Sequence, residues 1–566
     1  MNTSRWQRRG FWLLGLLAAL VVAALVAGTL LLLRERDRAR QEAETTRAVS
    51  QFVTSLFEAA DPGVADGQAG ITAIELLDKG RQRLSRDLQT QPATRRALLA
   101  VLADVYERVA RARESADLFG EAAKDEPDPL RRAQLLARQS LSLANEGDSK
   151  AAEAPAREAL ALRRQHAPGD DMLLGDVENR LAVALTGQMK LDEAAALLES
   201  ALARFRSKGE EGRSSVASAL HNLARVRARQ ERLDEAEALF RESVQVGSAS
   251  RQRGPRHNQT LVTREQLAIL LRDRGRLGEA EAEMMQALQA RVAVWGPHSA
   301  HVAMVLNELG VLQQDAGRAA EAVASHQKAL DIRRQQTGSR SFDTAISLHN
   351  LGKAQQAVGD VKSAEVSLRE SLSVRRQLAG GTSSAAVQRA QVSLSRLLLA
   401  LQRHDEAAAL LNDVAQARAS LAPSHVDRAT VSLMQAEVAL ARQRPTDARG
   451  LIEPLAAGLA RLPAAQRAEF ERLQGLLAWS DGRRDDAMAR LEAAWQQERD
   501  RQGSEHPSLL APGLEWHQRL HAAGRRDEAA ALVGQLASAA RRHVPASPWR
   551  REWERRAGRP AGAAPA

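Results

Sequence analysis

The chain has 566 residues, with 3% aromatic and 27% charged residues, a composition that suits stacked helices better than sheets, whose strands favour aromatic side chains. It contains no cysteine, which excludes disulfides, thiolate zinc sites and cysteine nucleophiles. The net charge of +10 is confined to the two ends: residues 1–40 and 541–566 each carry seven Arg against two acids, while 41–540 balances 66 basic with 66 acidic residues and gives no sign of a phosphate-binding stripe.

The first predicted element is residues 11–33, a run of 23 residues without a charge. At 1.5 Å per residue it is long enough for a hydrocarbon core of ~30 Å, and amides in lipid must pair within their own segment, so a transmembrane helix is expected. Trp6 and Trp12 lie near one end, where amphipathic rings favour the interface. A cleaved signal peptide would have an apolar stretch of about 7–15 residues; here apolar residues continue past Val22-Ala23-Ala24 to Leu33. Arg5, Arg8 and Arg9 before the run nearly balance Arg34, Arg36, Arg38 and Arg40 after it, so charge alone does not orient it.

The body is one repeat. A short phrase recurs, such as Leu191-Asp192-Glu193-Ala194, Leu233-Asp234-Glu235-Ala236, Ala320-Glu321-Ala322 and Asp527-Glu528-Ala529. Its alanine returns at 152, 194, 236, 280, 322, 364, 407, 448, 487 and 529. A degenerate earlier copy falls at Ser115, with Tyr106, Phe119 and Ala122 at matching offsets. Each unit reads as two helices. Leu306, Leu309 and Leu312 form an apolar stripe, Gly310 permits a close neighbour, and Gly317 suits a helix end. The second helix runs through Ala322, Ala329, Leu330 and Ile332 to Arg333-Arg334, where cations favour the helix dipole. The anchor alanine lets paired helices approach within ~8–10 Å. One pair cannot bury both of its faces, so neighbours must stack into a solenoid.

Leu306-x-x-Leu309-Gly310 followed by Gly317-x-x-x-Glu321-Ala322 resembles the tetratricopeptide repeat. The period of about 42 residues exceeds that family's usual 34 and is similar to its kinesin-light-chain-like subtype. Gly296-Pro297-His298, Gly503-Ser504-Glu505-His506-Pro507, Asn222-Leu223-Ala224 and Asn350-Leu351-Gly352 fit the subtype's junction and helix patterns. The resemblance implies an all-α fold: a transmembrane helix followed by an α-α superhelical solenoid of tetratricopeptide-like pairs. The expected layout is a short cytoplasmic tail (1–10), the span (11–33), a membrane-proximal helical segment (34–90), an array of about ten or eleven units (91–543) and a flexible basic tail (544–566).

A second resemblance covers 41–122. Arg47-Ala48-Val49-Ser50-Gln51-Phe52, Ala60-Asp61-Pro62, Glu75-Leu76-Leu77-Asp78-Lys79-Gly80 and Gln91-Pro92 look like the membrane-proximal segment of some bacterial serine/threonine kinases with tetratricopeptide sensor regions. It implies a bacterial inner-membrane protein whose body faces the periplasm. Only ten residues precede the uncharged run, and no G-x-G-x-x-G loop, His-Arg-Asp or Asp-Phe-Gly occurs, so the chain looks like the sensor part without the kinase.

Chemistry is otherwise missing from the pattern. There is no G-x-x-x-x-G-K-[ST] loop, H-E-x-x-H pair or G-x-S-x-G elbow, and no cofactor, metal, nucleic acid or small-molecule substrate is expected. His257, His425 and His506 each stand 23 residues before an anchor alanine, and His298 stands 24 before one. Equivalent positions in stacked pairs are ~8–10 Å apart, too far to share a metal with bonds of ~2 Å, so these histidines are expected to make recurring cap or loop contacts. Trp479, Trp495 and Trp516 are expected in the core.

Function is expected on the wall built from the first helix of each unit. In the family this wall binds extended peptides, which the Asn side chain can meet with both donor and acceptor. The candidate positions are Asn179, Asn222, Asn307 and Asn350, with Arg225, Lys353 and Arg396 one turn later facing carboxylates or acidic side chains. The implied function is a non-catalytic, membrane-anchored scaffold for protein or peptide partners. The alternative is an orphan sensor module working beside a separate serine/threonine kinase.

Overall fold

The computed structural model describes residues 73–87, 91–109, 111–379 and 384–558, besides isolated positions before them. Among these residues every regular element is a helix. The chain divides into two compact units, Met1–Gly254 and Pro255–Ala566.

The expectation of a transmembrane helix in the fold is corrected. Residues 11–33 lie outside the described residues, and among the described residues no helix is long and apolar enough to cross a membrane. The physical reason is that the described helices keep a charged face. Leu277–Trp295, one of the longest at 19 residues, carries Glu279, Glu281, Glu283 and Arg291.

In the first unit, Ala73–Asp87 packs Leu77 and Leu84 into a cluster with Leu98, Tyr106 and Phe119, and the Tyr106 hydroxyl donates to Asp78 at 2.6 Å. Four pairs follow: Pro92–Arg108 with Ala112–Lys124, Pro129–Glu146 with Ser149–His166, Asp171–Gly187 with Leu191–Ser207, and Arg213–Arg229 with Leu233–Ala249. The first member of each pair is called here the A helix and the second the B helix.

In the second unit the pairs are Asn258–Asp273 with Leu277–Trp295, Ala300–Asp315 with Ala319–Thr337, and Phe342–Ala357 with Val361–Ala379. These continue as Ala385–Ala400 with His404–Ala417, Val426–Ala441 with Pro445–Ala456, Ala464–Ser480 with Arg484–Gln502, and Leu510–Ala522 with Arg526–Gln535. A last helix, Pro548–Arg556, buries Trp553, whose ring N–H donates to the Val533 carbonyl at 2.8 Å. The segment expected as a flexible tail from 544 onward therefore begins with a packed helix, because one indole can bury its ring and still satisfy its single donor.

The repeat follows from three positions. Each anchor alanine is the fourth residue of a B helix, and nine of the ten are fully buried, Ala529 keeping 2%. Ser115, the degenerate copy, is also fully buried and shares a 3.0 Å hydrogen bond with Ser142. Five residues before each anchor the backbone is left-handed. Glycine fills six of these positions, but Met189, Glu231, Gln402 and Gln443 fill the rest at φ of 62, 62, 59 and 59°. At A-helix starts in the second unit, Ser299, Ser341 and Ser384 cap with hydroxyls. His257, His425 and His506 occupy the same offset and accept backbone N–H groups through Nδ1, the cap contact expected of them. Close approach is visible at Gly310, where a Cβ would lie 2.6 Å from the His326 ring.

The end of the second unit reaches back to its early pairs. The Val544 N–H donates to the Val358 carbonyl at 2.8 Å. His506 Nε2 lies 3.3 Å from the Gln314 carbonyl, and Arg542 donates to the Gly317 carbonyl at 3.4 Å. A Cβ on Gly359 would collide with Ser547 and His543. The turns at Gly317 and Gly359 thus serve two purposes: a left-handed backbone, and room for the returning chain.

Candidate functional site

The four candidate asparagines form two bonded couples. Asn222 Nδ2 donates to Asn179 Oδ1 at 2.9 Å in the first unit, and Asn350 Nδ2 donates to Asn307 Oδ1 at 3.0 Å in the second. Each couple joins neighbouring A helices across 43 residues, so these positions mark the face on which successive A helices meet. A carboxamide has two amide protons and two lone pairs on its oxygen. Each bond uses one proton and one lone pair, leaving the donating Asn an acceptor oxygen and the accepting Asn its amide protons. That pattern of one acceptor beside one donor matches the C=O and N–H of a peptide group.

The cationic candidates lie one turn further along the A helices. In the first unit, burial and the neighbouring Arg229 lower the Arg225 pKa. In the second, Lys353 touches solvent yet stands among helix walls. Desolvation there, and then the Arg396 guanidinium, lower its pKa, while Asp315 opposes them. Burial raises the Asp315 carboxyl in turn. Arg396 is exposed. The structure therefore brings the seven candidates together as two groups: Asn179, Asn222 and Arg225; and Asn307, Asn350, Lys353 and Arg396.

Other groups beside them escape a reading based on residue type. Burial holds His349 neutral, with its pKa lowered to about 3, and its Nε2 lies 3.4 Å from the Ser393 hydroxyl. Further along the second unit, Arg472 binds three carboxylates on three A helices: Glu437 at 3.2 Å, Glu469 at 2.7 Å and Glu515 at 3.0 Å. Burial raises the Glu437 pKa against the pull of Arg472. The signal for Glu437 was present in the spacing, since it stands 11 residues before its anchor alanine, as Arg225, Lys353 and Arg396 do before theirs. Position rather than charge identifies the stripe.

Comparisons with known proteins bear on the fold. No curated protein matches the chain. Among solved structures, RapI in its apo form superposes with a TM-score of 0.50 at 11% identity, over 65% of this chain and 97% of that one. The apo quorum sensor NprR from B. thuringiensis gives 0.45 at 13% identity, over 66% and 99%. A putative kinesin light chain from Podosopora anserina, with nearly identical TPR-like repeats, gives 0.32 at 23% identity, over 36% and 95%. The tetratricopeptide repeat pattern matches residues 173–249, 216–291 and 301–377. The chain carries tetratricopeptide repeats over these segments.

Proposed function

We propose that the protein is a scaffold that captures extended segments of other proteins on its A-helix face, without a catalytic step. The observation that carries this reading is the asparagine couple: Asn222 and Asn350 each keep an acceptor oxygen that the couple does not use, Asn179 keeps amide protons, and Arg225, Lys353 and Arg396 stand beside them. An extended chain can satisfy both, since its backbone repeats the same donor and acceptor and its acidic side chains reach Lys353, Arg396 or Arg225. A pull-down from lysate comparing the wild type with Asn222→Ala/Asn350→Ala tests the reading. Partners lost by a variant that keeps its helical circular dichroism support it; identical partners in both would remove these couples from the site.

A second reading is favoured by the order of motifs over 41–122: a sensor module, its body facing the periplasm, that receives a polypeptide cue and works beside a separate kinase. Reporter fusions after Arg40 and Ala566 test the compartment. Cytoplasmic activity at both places would refute it.

A further inference from the structure

The surplus positive charge of the C-terminal segment has a structural counterpart. Between the helices Leu510–Ala522, Arg526–Gln535 and Pro548–Arg556 lies a cavity of about 460 Å³. His517, His521, Arg526 and Arg556 all line it. Small residues on the middle helix, Ala529, Ala530 and Gly534, leave the space open.

The hydrogen bonds set the chemistry of these groups. Arg556 donates to His517 Nδ1 at 2.8 Å, and also to the Leu514 carbonyl and Glu552. A guanidinium can only donate, so His517 Nδ1 must accept, and the ring proton resides on Nε2. The His517 and His521 rings stack with centroids 6.4 Å apart. The side chains of His521 and Arg526 are exposed and make no hydrogen bond or ion pair within the described residues. Glu552 is the one carboxylate that faces this group from the last helix, and it is shared by Arg555 and Arg556. Burial, then Arg556 and His521, hold the His517 pKa down, against Glu552. Like groups are therefore held together with less anionic charge than would balance them.

We propose that this cavity binds a phosphate monoester through Arg526, His521 and His517 Nε2–H, at a place separate from the asparagine couples. The donors come from two helices, His517 and His521 from one and Arg526 from the next. A tetrahedral dianion presents three oxygens to such an arrangement, whereas a carboxylate presents two in one plane.

The test is calorimetry on the full chain with O-phospho-L-serine and with a short peptide containing phosphoserine. One site is expected. Arg526→Gln/His521→Gln is expected to weaken binding by about tenfold or more with the melting temperature unchanged, since both side chains are exposed. His517→Leu, which removes the Nε2–H donor, is expected to weaken binding as well. A phosphopeptide preferred over free phosphoserine names a modified protein as the source; the reverse order names a small molecule. No binding at millimolar concentration, or equal binding by the double variant, would overturn the proposal.

Discussion

Asn350 donates its side-chain amide to Asn307 at 3.0 Å, although 43 residues separate them. Asn307 is only 4% exposed, so its oxygen has little access to water and depends on this donor. A double-mutant cycle of Asn307→Ala and Asn350→Ala, followed by urea unfolding, is expected to give a coupling of about 1 kcal/mol. Strictly additive losses would show that the bond contributes nothing.

The left-handed turns supply a second prediction. Side chains with a Cβ lose about 1–2 kcal/mol in this conformation, and glycine does not, though its freer unfolded chain offsets part of that gain. Glu231→Gly and Gln402→Gly are each expected to raise stability by about 0.5–1 kcal/mol, because their φ values are 62 and 59°. Denaturant midpoints measure this. A fall in either midpoint would mean that the lost side-chain contacts outweigh the backbone relief.

His326 predicts an acid-sensitive unit. It is fully buried over Gly310, and burial lowers its pKa from 6.5 to about 4. Between those values the unfolded chain binds more protons than the folded one. Stability is therefore intact above pH 6.5 and is lost as the pH falls toward 4. At pH 5 the loss from this residue is about 2 kcal/mol. The difference between urea midpoints at pH 7.5 and 5 should shrink in His326→Gln. An unchanged difference would assign the acid sensitivity elsewhere.

Removing Arg472 leaves Glu437, Glu469 and Glu515 facing one another without their shared cation. Arg472→Met is expected to cost about 3 kcal/mol at pH 7. The loss should diminish at pH 4.5, where the carboxylates gain protons that relieve their repulsion. Thermal melts at the two pH values decide it. A loss that does not depend on pH would point to packing of the arginine stem instead.

Much of the architecture was legible in the sequence because a 42-residue period acts on every unit at once. The anchor alanines occupy one structural position, and His257, His425 and His506 were recognisable as cap residues by their constant offset. The left-handed turns at Met189 and Gln443 were hidden, since a side chain stands where glycine is expected. Gly187, two residues before Met189, does not form the turn. It lies inside the helix Asp171–Gly187, where a Cβ would collide with Ser149. The asparagine positions were identified, but not that they bond to one another, since side-chain pairing across 43 residues depends on stacking geometry. The packing of Trp553 was missed because the basic residues around it resemble a solvated tail.

The hydrogen bond from Val544 to Val358 gives this architecture an unusual property. In an open array each pair leans only on its neighbours, and the last one is free to peel away. Here the final helices are stitched to turns nearly two hundred residues earlier. Melting that end strips cover from Gly317 and Gly359, so damage at the terminus is felt mid-chain. The seam also forms only after the intervening pairs have taken their places, which makes it a late and slow event in folding.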